Sequence, residues 1–169
     1  MLLTGTYVRT LDEKSRFAIP KRLRDAMGTS DNPLLYLTPG TDGSLSLFTE
    51  SAFLRMGERL GRGSPTGQDV RAFSRLFYGQ AQSIEIDKQG RVRVPSELAQ
   101  LASITKELVL LGVGDHLELW DRASWEGYLV GKQSSYDELA ENAFDPLTRI
   151  ANETNKVEID GTARPVQPR

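Results

Sequence analysis

Leu11-Asp-Glu-Lys-Ser-Arg-Phe-Ala-Ile-Pro20 aligns without a gap on Ile86-Asp-Lys-Gln-Gly-Arg-Val-Arg-Val-Pro95, 75 residues further along the chain. Asp, Arg and Pro recur at the same places in both. A second match, Leu45-Ser-Leu-Phe48 with Leu117-Glu-Leu-Trp120 at an offset of 72, continues to Phe53 and Trp125. The difference in offset lies in one loop, where Gly40-Thr-Asp-Gly43 is longer than Gly114-Asp115. A repeat sets the architecture before any single motif is weighed, and two copies of one supersecondary unit account for both matches.

Each copy reads as strand, turn, strand, short helix, then two more strands. The Asp-x-x-x-Arg turn leads into a strand at Phe17 to Ile19, and at Val92 to Val94 in the second copy. Pro20 and Pro95 then begin short helices, where a missing N–H costs nothing at the first position. Those helices end near Gly28 and Ala102. Strands follow at Leu34 to Thr38 and Ser44 to Phe48, and at Glu107 to Leu111 and Leu117 to Trp120, each pair split by Gly/Asp turn residues. Thr49 and Asp121 are the expected N-caps of the helix that closes each copy. The expected organisation is a first repeat at 5–53, connecting helices at 54–78, a second repeat at 79–128 and a polar tail at 129–169. Neither copy is large enough to bury its own sheet.

Between the copies, Gly61-Arg-Gly-Ser-Pro-Thr-Gly67 is rich in turn residues, and Thr66-Gly-Gln-Asp69 has the spacing of a capping box. The helix after it places Val70, Phe73, Leu76 and Phe77 on one face and Arg71 and Arg75 on another, which reads as core or subunit interface against a solvated face. In the tail, Ser135-Tyr-Asp-Glu138 is a second capping-box pattern, and helical spacing runs from Tyr136 to Asp145-Pro146. Residues 134–169 hold seven acidic and four basic side chains.

The whole chain has 169 residues, with 38% hydrophobic and 26% charged, which places it in the globular class. A net charge of −2 rules out a wholly basic nucleic-acid coat and leaves a local basic patch open. Zero cysteines remove disulfides, thiolate metal sites and cysteine nucleophiles, and a single histidine, His116, argues against a multi-histidine zinc site. No metal and no cofactor is expected. No apolar run approaches the ~20 residues of a membrane helix, and residues 1 to 10 lack the pattern of a secretion signal. A cytoplasmic protein is expected.

The sharpest chemistry lies in the two turns. From Arg9 to Arg24 the chain holds six basic residues against Asp12 and Glu13, a local field that favours phosphates. Arginine's planar fork also suits a guanine edge. The alternative is that Asp12 and Asp87 merely stabilise a hairpin turn and pair with the arginine that follows. Glycine pairs such as Gly112-Val-Gly114 complete no dinucleotide fingerprint and no phosphate loop. His116 reads as structural or as an exposed loop residue, while Phe48, Phe53, Trp120 and Trp125 read as core anchors.

These turns, together with Arg24 and Gly112-Val-Gly-Asp-His-Leu-Glu-Leu-Trp120, resemble the MraZ family of bacterial regulators over about residues 1 to 128. The resemblance implies a mostly β fold with short helices, an α+β barrel of the swapped-hairpin type found in AbrB and SpoVT, with both halves in one chain. It also implies a ring-shaped homo-oligomer, associated with the nucleoid, that binds double-stranded DNA at short direct repeats in the promoter of its own division and cell-wall gene cluster. On that reading Lys14, Arg16, Lys88 and Arg91 project from turn tips into a major groove, and Lys21, Arg22, Arg24 and Arg93 hold phosphates. Asp12, Ser15, Asp87 and Gly90 form the turns. Neither an enzyme nor a small-molecule substrate is expected. An antitoxin-like protein partner of the same barrel superfamily is the alternative, with a small hydrolase behind it.

Two departures from the family pattern stand out. Ser15 occupies a position where the family has glycine, and a left-handed backbone there would cost serine about 1 kcal/mol or more. Ala99 aligns with Arg24, so only the first copy has a basic residue on its short helix.

Overall fold

A computed structural model describes residues 2–28, 34–61 and 67–144. Met1–Gly127 forms one compact unit and Tyr128–Arg169 a second. In the first unit the strands are β1 (Leu3–Thr10), β2 (Arg16–Ala18), β3 (Leu34–Pro39), β4 (Leu45–Thr49), β5 (Gln82–Glu85), β6 (Arg91–Arg93), β7 (Glu107–Gly114) and β8 (Leu117–Asp121). The helices are α1 (Lys21–Met27), α2 (Glu50–Gly61), α3 (Gln68–Gln80) and α4 (Ser96–Leu101), with α5 (Arg122–Gln133) running across the boundary and α6 (Tyr136–Phe144) in the second unit.

The two copies interleave. One antiparallel sheet has the order β1-β7-β8-β4-β3-β5, and a second consists of β2 and β6. The first strand of each copy therefore pairs with the third strand of the other, and β4 pairs with β8 across the middle. An approximate twofold axis relates the halves. It passes through the Phe17↔Val92 pair of the small sheet and the Ser46↔Glu118 pair of the large one, each of which joins equivalent positions of the two copies. This is the mostly β, mixed architecture expected from the repeat.

Local sequence explains the element ends. Thr49 Oγ1 accepts the Ala52 N–H at 3.3 Å, and Asp121 Oδ2 accepts the Ser124 N–H at 3.1 Å, so both expected caps are in place. Pro20 and Pro95 sit one residue earlier than expected. Both are N-caps with extended ψ of 138° and 144°, because the chain must leave β2 and β6 before it can coil. Gly67 is the N-cap of α3 and makes no side-chain cap bond; Thr66 of the expected capping box lies outside the described residues. So do residues 145–169, which include the end of the expected tail helix.

The interior is aliphatic and belongs to both copies at once. Leu35, Leu37, Leu45, Leu108, Leu110, Leu117 and Leu119 are all fully buried, with Phe17, Val92 and Val94 closing the cluster from the small sheet. Alternation along each strand produces this, since residues two apart share a face. A smaller aromatic cluster joins Phe48 of β4 to Phe53 of α2 and Phe77 of α3. Of the expected apolar face of α3, Phe77 is buried and Val70 half-buried, but Phe73 and Leu76 are exposed at 42% and 59%. Gly112 faces β1 so closely that a Cβ would run into the Thr4 backbone nitrogen, and the glycine pair around Val113 is thus a packing device.

Phe17 lies on the twofold axis and is 1% exposed. Phe17→Ala should therefore destabilise the protein by about 3–5 kcal/mol, read as a lower denaturant midpoint.

Candidate nucleic-acid interface

The two Asp-x-x-x-Arg segments fold into loops of nearly identical geometry. In the first, the Ser15 N–H donates to the Asp12 carbonyl at 2.9 Å and the Asp12 N–H to the Arg16 carbonyl at 2.8 Å. In the second, Gly90 to Asp87 and Asp87 to Arg91 are both 2.8 Å. This is a tight turn followed by one left-handed residue, and that residue is Ser15 with φ 56° or Gly90 with φ 77°.

The carboxylate organises each loop. Asp12 Oδ1 accepts the N–H groups of Lys14 and Arg16, each at 2.9 Å, and its Oδ2 accepts both Nε and Nη2 of Arg16 at 2.8 Å. Asp87 does the same with the N–H groups of Gln89 and Arg91 and with the Arg91 guanidinium. The required spacing follows from this arrangement. Only a side chain four residues on, beyond the left-handed turn, comes back to meet the aspartate.

Arg16 and Arg91 consequently do not stand at the tips. They begin β2 and β6, are partly buried, and fold back on their aspartates, which is the pairing alternative that the residues alone left open. The exposed tip positions are Glu13 and Lys14 in one loop and Lys88 and Gln89 in the other. Lys14 and Lys88 are not equivalents: the shared backbone pattern matches Lys14 to Gln89 and Glu13 to Lys88. The loops lie side by side, with Arg91 Nη1 3.8 Å from Asp12 Oδ2.

Backbone bonds cross the axis as well. The Ser15 carbonyl accepts the Val94 N–H, and the Gly90 carbonyl accepts the Ile19 N–H, both at 2.9 Å. Arg24 of α1 bonds through Nε to the Ile19 carbonyl at 3.1 Å and covers the second loop, so that a Cβ on Gly90 would lie 2.8 Å from that nitrogen. The twofold carries Arg24 to Ala99 and Gly90 to Ser15. The two departures from the family pattern are therefore one feature, because the loop residue carries a side chain on the half whose helix offers only alanine. Of the remaining expected contacts, Lys21 and Arg22 are exposed on the first turn of α1, and Arg93 is exposed on β6. Sequence reasoning missed Arg9, whose Nε donates to the Ala18 carbonyl at 3.1 Å beside this site. Its place in the basic run was the available signal.

The Arg16 hydrogen bond is the largest influence on Asp12 and holds its pKa at about 2, below the ordinary 3.8, against a smaller opposing effect of desolvation. Asp87 is lowered too, chiefly by the Arg91 N–H. The Asp12 bond in turn raises Arg16 further. At the opposite side of the large sheet His116 stacks on Phe48 at 4.8 Å between ring centres and bonds to Asp115 at 2.8 Å, the structural one of the two readings its sequence position allowed.

Curated sequences align over nearly their whole length. The chain is 39% identical to a transcriptional regulator MraZ of Finegoldia magna over 144 residues, covering 85% of this chain and 98% of the relative. Identity is 38% to the protein of that name from Carboxydothermus hydrogenoformans, over 86% and 99% of the two chains, and 35% to that of Heliobacterium modesticaldum, over 85% and 98%. The chain belongs to the MraZ family. A family profile described as "MraZ protein, putative antitoxin-like" matches residues 77–147, which contain the whole second loop.

Two outcomes follow from the loop geometry. Ser15→Gly should stabilise the protein by about 1 kcal/mol, seen as a higher melting temperature, because glycine adopts positive φ without a Cβ clash. For Asp12, the unfolded chain binds the proton near pH 3.8 and the folded chain only near pH 2, so its stabilisation is complete above the first value and lost as pH falls through the second. Melting temperatures recorded from about pH 5 to pH 2 should fall less steeply for Asp12→Asn than for the parent.

Proposed function

We propose that this chain is a transcriptional regulator, the role its relatives' names state, and that it works by sequence-specific DNA binding without catalysis. The observation that carries this reading is the pair of matching loops, held rigid by Asp12 and Asp87, with exposed hydrogen-bonding side chains at adjacent tips. Lys14 and Lys88 suit guanine N7 and O6, and Gln89 suits the adenine edge in a major groove. Arg16 and Arg91 brace the loops while their guanidiniums retain further N–H donors for a guanine or a phosphate. Lys21, Arg22, Arg24 and Arg93 hold phosphates.

The operator is taken to be short direct repeats in the promoter of the protein's own division and cell-wall gene cluster. A ring-shaped homo-oligomer presenting one loop pair per repeat would multiply modest contacts into high affinity. β1 and β5 at the ends of the large sheet, with Leu54, Phe73 and Leu76 exposed on α2 and α3, provide surface for that assembly. Residence in the cytoplasm at the nucleoid accords with this; no helix among the described residues is long and apolar enough to cross a membrane.

A gel shift with the DNA upstream of its own gene, against a scrambled duplex of equal length, tests the reading. Lys14→Ala and Gln89→Ala should lose about 1–3 kcal/mol on the specific duplex only, and Lys21→Ala should weaken both duplexes alike. Equal affinity of the parent for the two duplexes would remove the regulatory role and leave the protein-binding alternative.

A further inference from the structure

We infer that the DNA-binding face is polarised within each chain: α1 with the second loop forms a strong phosphate-holding half, and α4 with the first loop a weak one. This rests on the DNA-binding reading and adds to it an uneven grip on each operator repeat.

The halves are assigned by contact. Arg24 lies over Gly90 and is tied to Ile19, whose N–H bonds the Gly90 carbonyl, so α1 belongs with the second loop. The Val94 N–H bonds the Ser15 carbonyl just before α4 begins, so α4 belongs with the first. The backbones match under the twofold axis and their charges do not.

Within each loop the aspartate and arginine neutralise one another. What remains on the α1 half is Lys21, Arg22, Arg24 and Lys88 against Asp25 alone. On the α4 half the charge of Lys14 is offset by Glu13 and Glu97, because Ser96, Glu97 and Ala99 stand where α1 has Lys21, Arg22 and Arg24. Among the described residues, Arg93 and Lys106, whose carbonyl accepts the Leu11 N–H, are further cations on that side, and Arg93 lines the same shallow recess as Glu97.

Helix electrostatics point the same way. α4 carries Glu97 in its first turn, where a negative charge favours the helix. The first turn of α1 has no acidic residue and instead holds Lys21 and Arg22, a placement that opposes the helix dipole. A local rule broken at an exposed position marks charge placed for an external anion, here the phosphate backbone. Steric fit maintains the difference, since Arg24 occupies the space that a side chain at position 90 would need.

The test is fluorescence anisotropy of the full-length protein on the upstream and scrambled duplexes over a range of salt concentrations, with melting temperatures recorded for each variant. Arg22→Ala should reduce the slope of log affinity against log salt by about one on both duplexes, and Arg93→Ala by less than about half of that. Glu97→Arg, exposed and free of steric demands, should raise the slope by about one. The triple variant Ser15→Gly/Glu97→Arg/Ala99→Arg, which copies the strong half onto the weak one, should raise it by about two. Equal reductions for Arg22→Ala and Arg93→Ala overturn the polarity, as does an unchanged slope for a folded Glu97→Arg. If the parent binds neither duplex, the DNA-binding reading itself fails and takes the polarity with it.

Discussion

Two backbone hydrogen bonds, from Val94 N–H to the Ser15 carbonyl and from Ile19 N–H to the Gly90 carbonyl, hold each copy's turn against the other copy's strand. Each uses the carbonyl of a left-handed residue, which points out of its own loop and so can accept from across the axis. A turn of ordinary handedness would aim that carbonyl elsewhere, and β2 and β6 have only three residues each with which to pair. The left-handed position therefore supports the small sheet, and the small sheet closes the leucine core from below through Phe17, Val92 and Val94.

The same constraint shapes the charged surface. Asp12 and Asp87 spend their oxygens on two N–H groups and one guanidinium apiece, which neutralises the Asp–Arg pair of each loop and leaves the net charge to the tip residues and flanking helices. Rigidity thus rests on the two Asp–Arg pairs and not on the exposed tip side chains. Because a buried or half-buried hydrogen-bonded carboxylate holds its shape without a partner molecule, the loops are pre-organised, and binding would not have to order them. The charge that varies between the halves sits on positions the loop geometry does not need.

Approximate symmetry built from one chain permits differences that a symmetric dimer forbids. Gly40-Thr-Asp-Gly43 is longer than its counterpart, α2 and α3 gather an aromatic cluster around Phe48, and Trp120 and Trp125 make their own contact at 5.5 Å on the other copy. Arg24 with Gly90, and Ala99 with Ser15, are the pair of differences nearest the proposed interface. Their coupling is steric, and each residue is intelligible only beside its counterpart.

Much of this was legible along the chain. The repeat, the strand order within each copy and the Thr49 and Asp121 caps follow from local chemistry, since turns, caps and alternation depend on residues a few places apart, and the left-handed backbone at position 15 was expected from the resemblance to a family with glycine there. The structure alone decided the cross-copy pairing of β1 with β7 and β3 with β5, the folding back of Arg16 and Arg91, and the meeting of Arg24 with Gly90. Sequence spacing is blind to those because each depends on residues more than forty positions apart or on a side chain's choice between solvent and its own loop, and that choice is settled by the three-dimensional course of the turn, which brings the arginine back to its aspartate.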